Sequence, residues 1–172
     1  NLQQDAFACM YLYEITMEAH TQVGIMAAVS VAEYNTGLIK KHEFTRPEKE
    51  DDRTRHIEIT NANTGPVFLT FRNDGNYQKQ IKKIKCQPSE ISFQADDHTS
   101  HKLWKISDPN IQELLNSYFL SIPALYIADG HHRAASASRV QKIRQDSNPN
   151  HKGDELYNYF LSVIFPHDEM QI

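Results

Sequence analysis

Only two cysteines, Cys9 and Cys86, occur in the 172 residues, and neither has a CxxC partner. Two cysteines in a chain of this size fit a reducing compartment. Their isolation excludes a zinc site built on cysteine. Cys9 stands in an apolar run and is expected in the core. No apolar run approaches the roughly 20 residues that cross a bilayer. No secretory signal is read at Asn1. The expected location is the cytoplasm, with no membrane partner. There is no basic surplus either, since 18 Lys and Arg face 22 Asp and Glu for a formal charge of -4. That weighs against a general nucleic-acid binder, and nucleic acid is not the expected partner. Internal repeats and low-complexity tracts are missing as well.

What is present is ordinary for a globular chain, with 40% hydrophobic and 23% charged residues. The length suits one domain over residues 1–172. The first residue is not Met, and the last stretch, "VIFPHDEMQI", stops in mid-pattern. The expectation is a fragment cut at both ends.

Ala6 to Met17 and Gln22 to Tyr34 read as two strands, and the short link between them as an antiparallel turn. Arg46 to Asn63 reads as a helix, with Pro47 in its first turn, acidic residues early and basic ones later. "GPVFLTFR" reads as a strand and "NYQKQIKKIK" as a basic helix. "SEISFQADDHTSHKLWKIS" reads as two strands around a polar turn. Asp108 and Pro109 open a helix whose Ile111, Leu114, Leu115 and Tyr118 keep helical spacing. "IPALYIA" is a buried strand, "DGHHRAASASRVQKIRQ" a helix, and "NYFLSVIF" a last strand. Strands come both as adjacent pairs and in alternation with helices. The expected class is therefore α+β, a mixed sheet with flanking helices in one domain.

The chemistry concentrates at Asp129-Gly130-His131-His132-Arg133, where a strand turns into a helix. The first turn of a helix has unpartnered N–H groups and a partial positive charge, so it favours an anion. Gly130 lets the backbone approach a ligand. Arg133 adds a donor fork shaped for phosphate. His131 and His132 add donors that strengthen on protonation. Asp129 could cap the helix, orient a histidine, or meet Mg²⁺ together with a phosphate. Two other readings stand beside the anion site: an N-cap with an exposed first turn, and a metal held by the histidines. Adjacent helical residues point about 100° apart, which sets the two histidines against sharing one ion. Glycine, dipole and cations all favour the same ligand, so the phosphate site is the expectation.

A second cluster runs from Leu38 to Arg53. His42-Glu43 precedes the helix there and offers general acid-base chemistry. Arg46 and Lys49 could meet a further phosphate, while Lys49, Arg53 and Arg55 with the acidic residues also read as a solvated helix face. From Arg72 to Lys85 five cations stand against Asp74 alone. That run reads as a solvated face, with anion or nucleic-acid binding as the alternative. Trp104 reads as core. His101 is set aside as a pocket candidate.

"GLIKKHEFT", "KLWKISD", "ALYIADGHHR" and "NYFLSVIFP", in that order, resemble a broad microbial family labelled only as a domain of unknown function. The resemblance covers nearly the whole chain, and members of that family typically continue past the last strand. They look like relatives of the ParB and sulfiredoxin superfamily. "DGHHR" resembles that superfamily's nucleotide-phosphate motif: G-E-R-R in ParB, where it binds CTP, G-C-H-R in sulfiredoxin, and D-G-x-x-R in an ADP-using free-serine kinase of archaea. Gly130 and Arg133 match all three, and His132 matches the sulfiredoxin histidine. His131 occupies the position of the sulfiredoxin cysteine, so the sulfiredoxin reaction is not implied. ParB's glutamate and first arginine are replaced by His131 and His132, and no helix-turn-helix signal accompanies the motif.

The resemblance implies a nucleotide-binding kinase acting on a serine-like small metabolite, with Mg²⁺ and ADP or ATP as cofactors. Asp129, Gly130, His131, His132 and Arg133 would hold the phosphates, and Asp129 would meet the Mg²⁺. By analogy of place, Glu43 would be the base, assisted by His42. The alternative is a ParB-like, nucleotide-regulated DNA-binding module or nuclease.

Overall fold

A computed structural model describes residues 5–171. The class is α+β: an eight-stranded mixed sheet with five α-helices. The chain forms two compact units.

The first unit comprises residues 5–27, 71–123 and 164–171. Its strands follow the order β2-β1-β6-β5. β1 (Met10–Met17) pairs antiparallel with β2 (His20–Ser30) and with β6 (Ser100–Ile106), and β6 pairs antiparallel with β5 (Ile91–Gln94). Glu14 sits opposite Lys102 in the β1–β6 ladder, buried, and its carboxylate meets Lys102 Nζ at 3.1 Å and Lys85 Nζ at 2.7 Å. Burial would raise its pKa, but the two ammonium groups hold it below the ordinary value.

The basic helix α3 (Tyr77–Lys85) turns Tyr77, Ile81 and Ile84 inward. Tyr77 is fully buried, and its hydroxyl donates to Val23 O at 3.0 Å, as a buried phenol requires. α4 (Pro109–Leu120) begins as its sequence signals. Asp108 accepts from Asn110 N at 2.9 Å, and Leu115 and Tyr118 are buried. Trp104 is buried as expected.

Cys9 departs from expectation. It lies outside β1, half-exposed, and its thiol donates to Asp5 Oδ2 at 3.0 Å. A carboxylate within reach of the thiol gave it a polar partner that a core position lacks.

The second unit comprises residues 28–70 and 124–163. Its strand order is β3-β7-β4-β8, from β3 (Ile39–Lys40), β7 (Leu125–Asp129), β4 (Val67–Phe71) and β8 (Tyr159–Pro166). β3 and β7 are parallel. β7 is less buried than its apolar run suggests, with Ile127 inside and Tyr126 exposed.

The strand expected to Tyr34 ends early, and α1 (Val31–Thr36) takes over. Ser30 Oγ accepts from Ala32 N at 3.2 Å, with Glu33 in the first turn, a capping pattern that outweighs the β-branched run. Gly37, left-handed at φ 79°, closes the helix.

α2 (Pro47–Thr60) and α5 (His131–Asp146) pack together. Ala134, Ala135, Ser136 and Ala137 are buried, and such small residues let the helices approach closely. Their contacts run in step along both helices. Ser136 Oγ donates to Glu50 O at 3.0 Å, Arg139 meets Asp51 at 2.6 Å, and Arg144 donates to Asn61 Oδ1 at 2.7 Å. Both helices therefore begin at the same end.

Gly24 tests the packing of the first unit. A Cβ there would lie 2.9 Å from Ile164 O and 2.9 Å from a carbon of the Phe165 ring. Backbone cannot yield to it cheaply. Gly24→Ala is expected to lower stability by roughly 1–3 kcal/mol, read as a lower urea midpoint at unchanged slope.

Candidate functional site

The site is best built from the start of α5. β7 ends at Asp129, and Gly130 turns the chain with φ 96° and ψ 27°, a left-handed conformation that glycine adopts without strain. No side chain caps α5, and its first internal bond is Ala134 N to Gly130 O at 3.0 Å. The N–H groups ahead of Ala134 thus stand at the helix end without a capping side chain. The N-cap alternative for Asp129 does not hold, because Gly130 is the N-cap. The Asp129 carboxylate instead accepts from Arg133 Nη2 at 2.5 Å.

Arg133 also donates through Nη1 to Pro66 O. A Cβ on Gly130 would lie 3.1 Å from Arg133 Nε, and one on Gly65 would lie 3.3 Å from Nη1. The two glycines make the space in which the guanidinium lies. Two of its donor atoms are occupied, and a guanidinium carries five N–H groups.

His131 is buried, at 4% exposure, behind the first turn. Its Nε2 accepts from His42 N at 3.4 Å, and its Nδ1 lies 3.6 Å from Glu43 Oε2. An acceptor at Nε2 places the proton of the neutral ring on Nδ1, facing the Glu43 carboxylate. His132 Nε2 accepts from Arg46 N at 3.0 Å. The irregular segment 41–46 is thereby pinned to α5 by two imidazoles. The His42 ring meets the His131 ring edge-on, with centroids 4.4 Å apart. The imidazole nitrogen beside the Glu43 carboxylate is therefore that of His131, while His42 packs edge-on against that ring. Burial, and then the neighbouring His42, press the His131 pKa below its ordinary value, with Glu43 and Asp129 opposing.

These groups open on a cavity of about 640 Å³. Glu43, Asp129, Gly130, His131, His132 and Arg133 all line it. The α2 face adds Lys49, Asp52, Arg53 and His56. The turn at Asn63, Thr64 and Gly65 completes the wall. Residue reasoning had not singled out His56 or this turn. The helical spacing 49, 52, 53, 56 was a readable signal for one face.

Three cations, Lys49, Arg53 and Arg133, face four carboxylates, those of Glu43, Glu48, Asp52 and Asp129. Among the described residues no group of three or more His, Cys, Asp or Glu is placed to hold a metal ion. His131 and His132 turn their Nε2 atoms to different partners, His42 N and Arg46 N.

The other two clusters belong to the first unit. Lys85 is held by Glu14 and Lys79 by Asn76 at 3.2 Å, so part of the α3 charge has partners in its own unit. His101 packs among aromatic rings. It stacks on Phe93 and Tyr13, at 4.8 and 6.0 Å between centroids.

A family described as "Protein of unknown function (DUF1015)" matches residues 1–172. The chain belongs to this family. That agrees with the expected family of unknown function. No curated protein and no solved structure matches the chain. No helix among the described residues is long and apolar enough to cross a membrane.

The depressed His131 pKa carries a pH signature. A base that is harder to protonate folded than unfolded stabilises the fold above its unfolded value, near 6.5. Stability should fall as pH drops below that value and level off under the folded pKa. His131→Gln keeps an acceptor for His42 N but cannot titrate. Its urea midpoint should lose less than the wild type between pH 7.5 and pH 5.

Proposed function

We propose that the chain is a nucleotide-binding phosphotransferase of ParB/sulfiredoxin-like architecture, working in the cytoplasm on a small, serine-like metabolite. The observation that carries this reading is the uncapped start of α5. Gly130 opens it in a left-handed turn beside Arg133, in the same cavity as the exposed Glu43 carboxylate. Helix N–H groups and a guanidinium fit a phosphate. A carboxylate in reach of that phosphate fits an acceptor hydroxyl.

In the proposed reaction the acceptor oxygen bonds to the terminal phosphorus of the nucleotide. The bridging P–O bond breaks, and its electron pair leaves with the shortened nucleotide. The acceptor proton passes to Glu43. His131 Nδ1 lies 3.6 Å from that carboxylate. His42 packs His131 in place. Positioning and charge stabilisation supply most of the rate, as phosphoryl transfer requires. Mg²⁺ would enter with ADP or ATP. Asp129 is the carboxylate that would meet it, with phosphate oxygens and water as the other ligands. The excess of carboxylates in the cavity favours a phosphate that arrives with its cation.

Isothermal titration with ADP, ATP and CTP, each with Mg²⁺, tests the reading. Binding should occur for at least one of them and weaken by tenfold or more, in order of magnitude, in Arg133→Ala. Equal binding by that variant, or none by the wild type, would overturn the phosphate site. Glu43→Gln should bind the nucleotide normally and lose turnover by about 10²–10⁴-fold. Full activity in that variant would refute its role as base.

A further inference from the structure

We infer that a second cavity, of about 550 Å³, is the subsite for the base and ribose of the nucleotide whose phosphates lie at the start of α5. The inference rests on the phosphate-site reading above. The two cavities adjoin, since Ile57 and Asn63 line both. The second lies toward the far ends of α2 and α5, where Asn61 and Arg144 meet. From Gly130 to Val140 is ten residues of helix, about 15 Å at 1.5 Å per residue. An extended nucleotide spans a comparable length.

The lining has the chemistry of a nucleoside. Buried Ile57, Ala137 and Val140 make an apolar floor. Tyr157, Tyr159 and Leu156 add aromatic and aliphatic walls, and Leu156 is 89% exposed. Bases stack on such surfaces regardless of sequence. Asn61, Asn63 and Arg144 offer polar edges for a ribose or a base.

The wall is built before any ligand arrives. Glu155 accepts from Lys152 N at 2.6 Å, Gly153 N at 2.9 Å and Asn158 Nδ2 at 3.1 Å. His151 Nδ1 lies 2.7 Å from the Tyr157 hydroxyl, and the two rings stack at 5.7 Å between centroids. Asn148 donates to the same hydroxyl at 3.1 Å. The loop 147–158 therefore presents the Tyr157 ring in a fixed position.

Two other occupants fit less well. An acceptor must reach Glu43, which faces His131 at the opposite end of α5. A second anion would find one cation, Arg144, already donating to Asn61 and accompanied by the Glu155 carboxylate.

The test is titration of the full chain with ADP, CDP and inorganic pyrophosphate, each with Mg²⁺, beside a Leu156→Ser/Tyr159→Ser double variant. Both side chains are exposed, so the fold should survive. At least one nucleoside diphosphate should bind the wild type about tenfold or more tightly than pyrophosphate. The double variant should lose that advantage while binding pyrophosphate unchanged. A diphosphate that binds no better than pyrophosphate, or keeps its advantage in the variant, would overturn the subsite and leave the phosphate site standing. Pyrophosphate binding insensitive to Arg133→Ala would strike at the phosphate site instead. No binding by any of the three probes would overturn both.

Discussion

Two backbone N–H groups, those of His42 and Arg46, end on imidazole nitrogens of His131 and His132. The rest of the site depends on these bonds. The segment between them lacks regular structure and carries Glu43. Without an acceptor on α5, nothing in its own backbone would set where that carboxylate stands. His131 accepts as a neutral ring, because a protonated imidazole has no lone pair to offer. Burial of His131 serves that need, since it disfavours the charged form. The histidines of the DGHHR stretch are thus first of all acceptors that join one segment to another. Their role as cationic donors to a ligand would come at the expense of that join.

Arg133 shows a similar economy. Its guanidinium bridges Asp129 and the carbonyl of Pro66, so it ties the end of β7 to the turn before β4. Gly65 and Gly130 give it room. An arginine held on two sides is pre-organised, with little side-chain entropy left to lose. The left-handed turn at Gly130 therefore has two consequences. It starts α5 without a capping side chain, and it clears the space in which Arg133 lies.

Much of this was legible in the residues. The α+β class, the antiparallel β1–β2 pair, the Pro-led starts of α2 and α4 and the strand-to-helix turn at Asp129-Gly130 follow from periodicity and capping chemistry. The gathering of Glu43 with Asp129 to Arg133 was legible only as an expectation, since 86 residues or more separate the two stretches and no local rule joins them. The early end of β2 was misread because β-branched residues at Val29 and Val31 outweighed the Ser30 and Glu33 capping signal. Cys9 was misplaced because an apolar neighbourhood says nothing of Asp5, four residues away, waiting for its thiol. The exchange of His42 for His131 as the histidine beside Glu43 could not be read at all. It depends on which ring the fold buries.

Charge alone would have directed attention elsewhere. α3 is the more basic helix by composition, yet Lys85 is taken by Glu14, and its apolar residues fill the core of the first unit. α2 carries five carboxylates against three cations, yet its face lines the larger of the two cavities. The difference lies in what each helix faces. Lys85 of α3 shares the buried Glu14 carboxylate with Lys102 of β6, and removing both would leave that carboxylate uncompensated. Lys49, Arg53 and His56 face open volume beside an uncapped helix start, where backbone N–H groups have no side chain to satisfy them. Such groups are left to water or to a ligand. Unsatisfied local structure next to a cavity is therefore a better guide to this site than net charge along the chain.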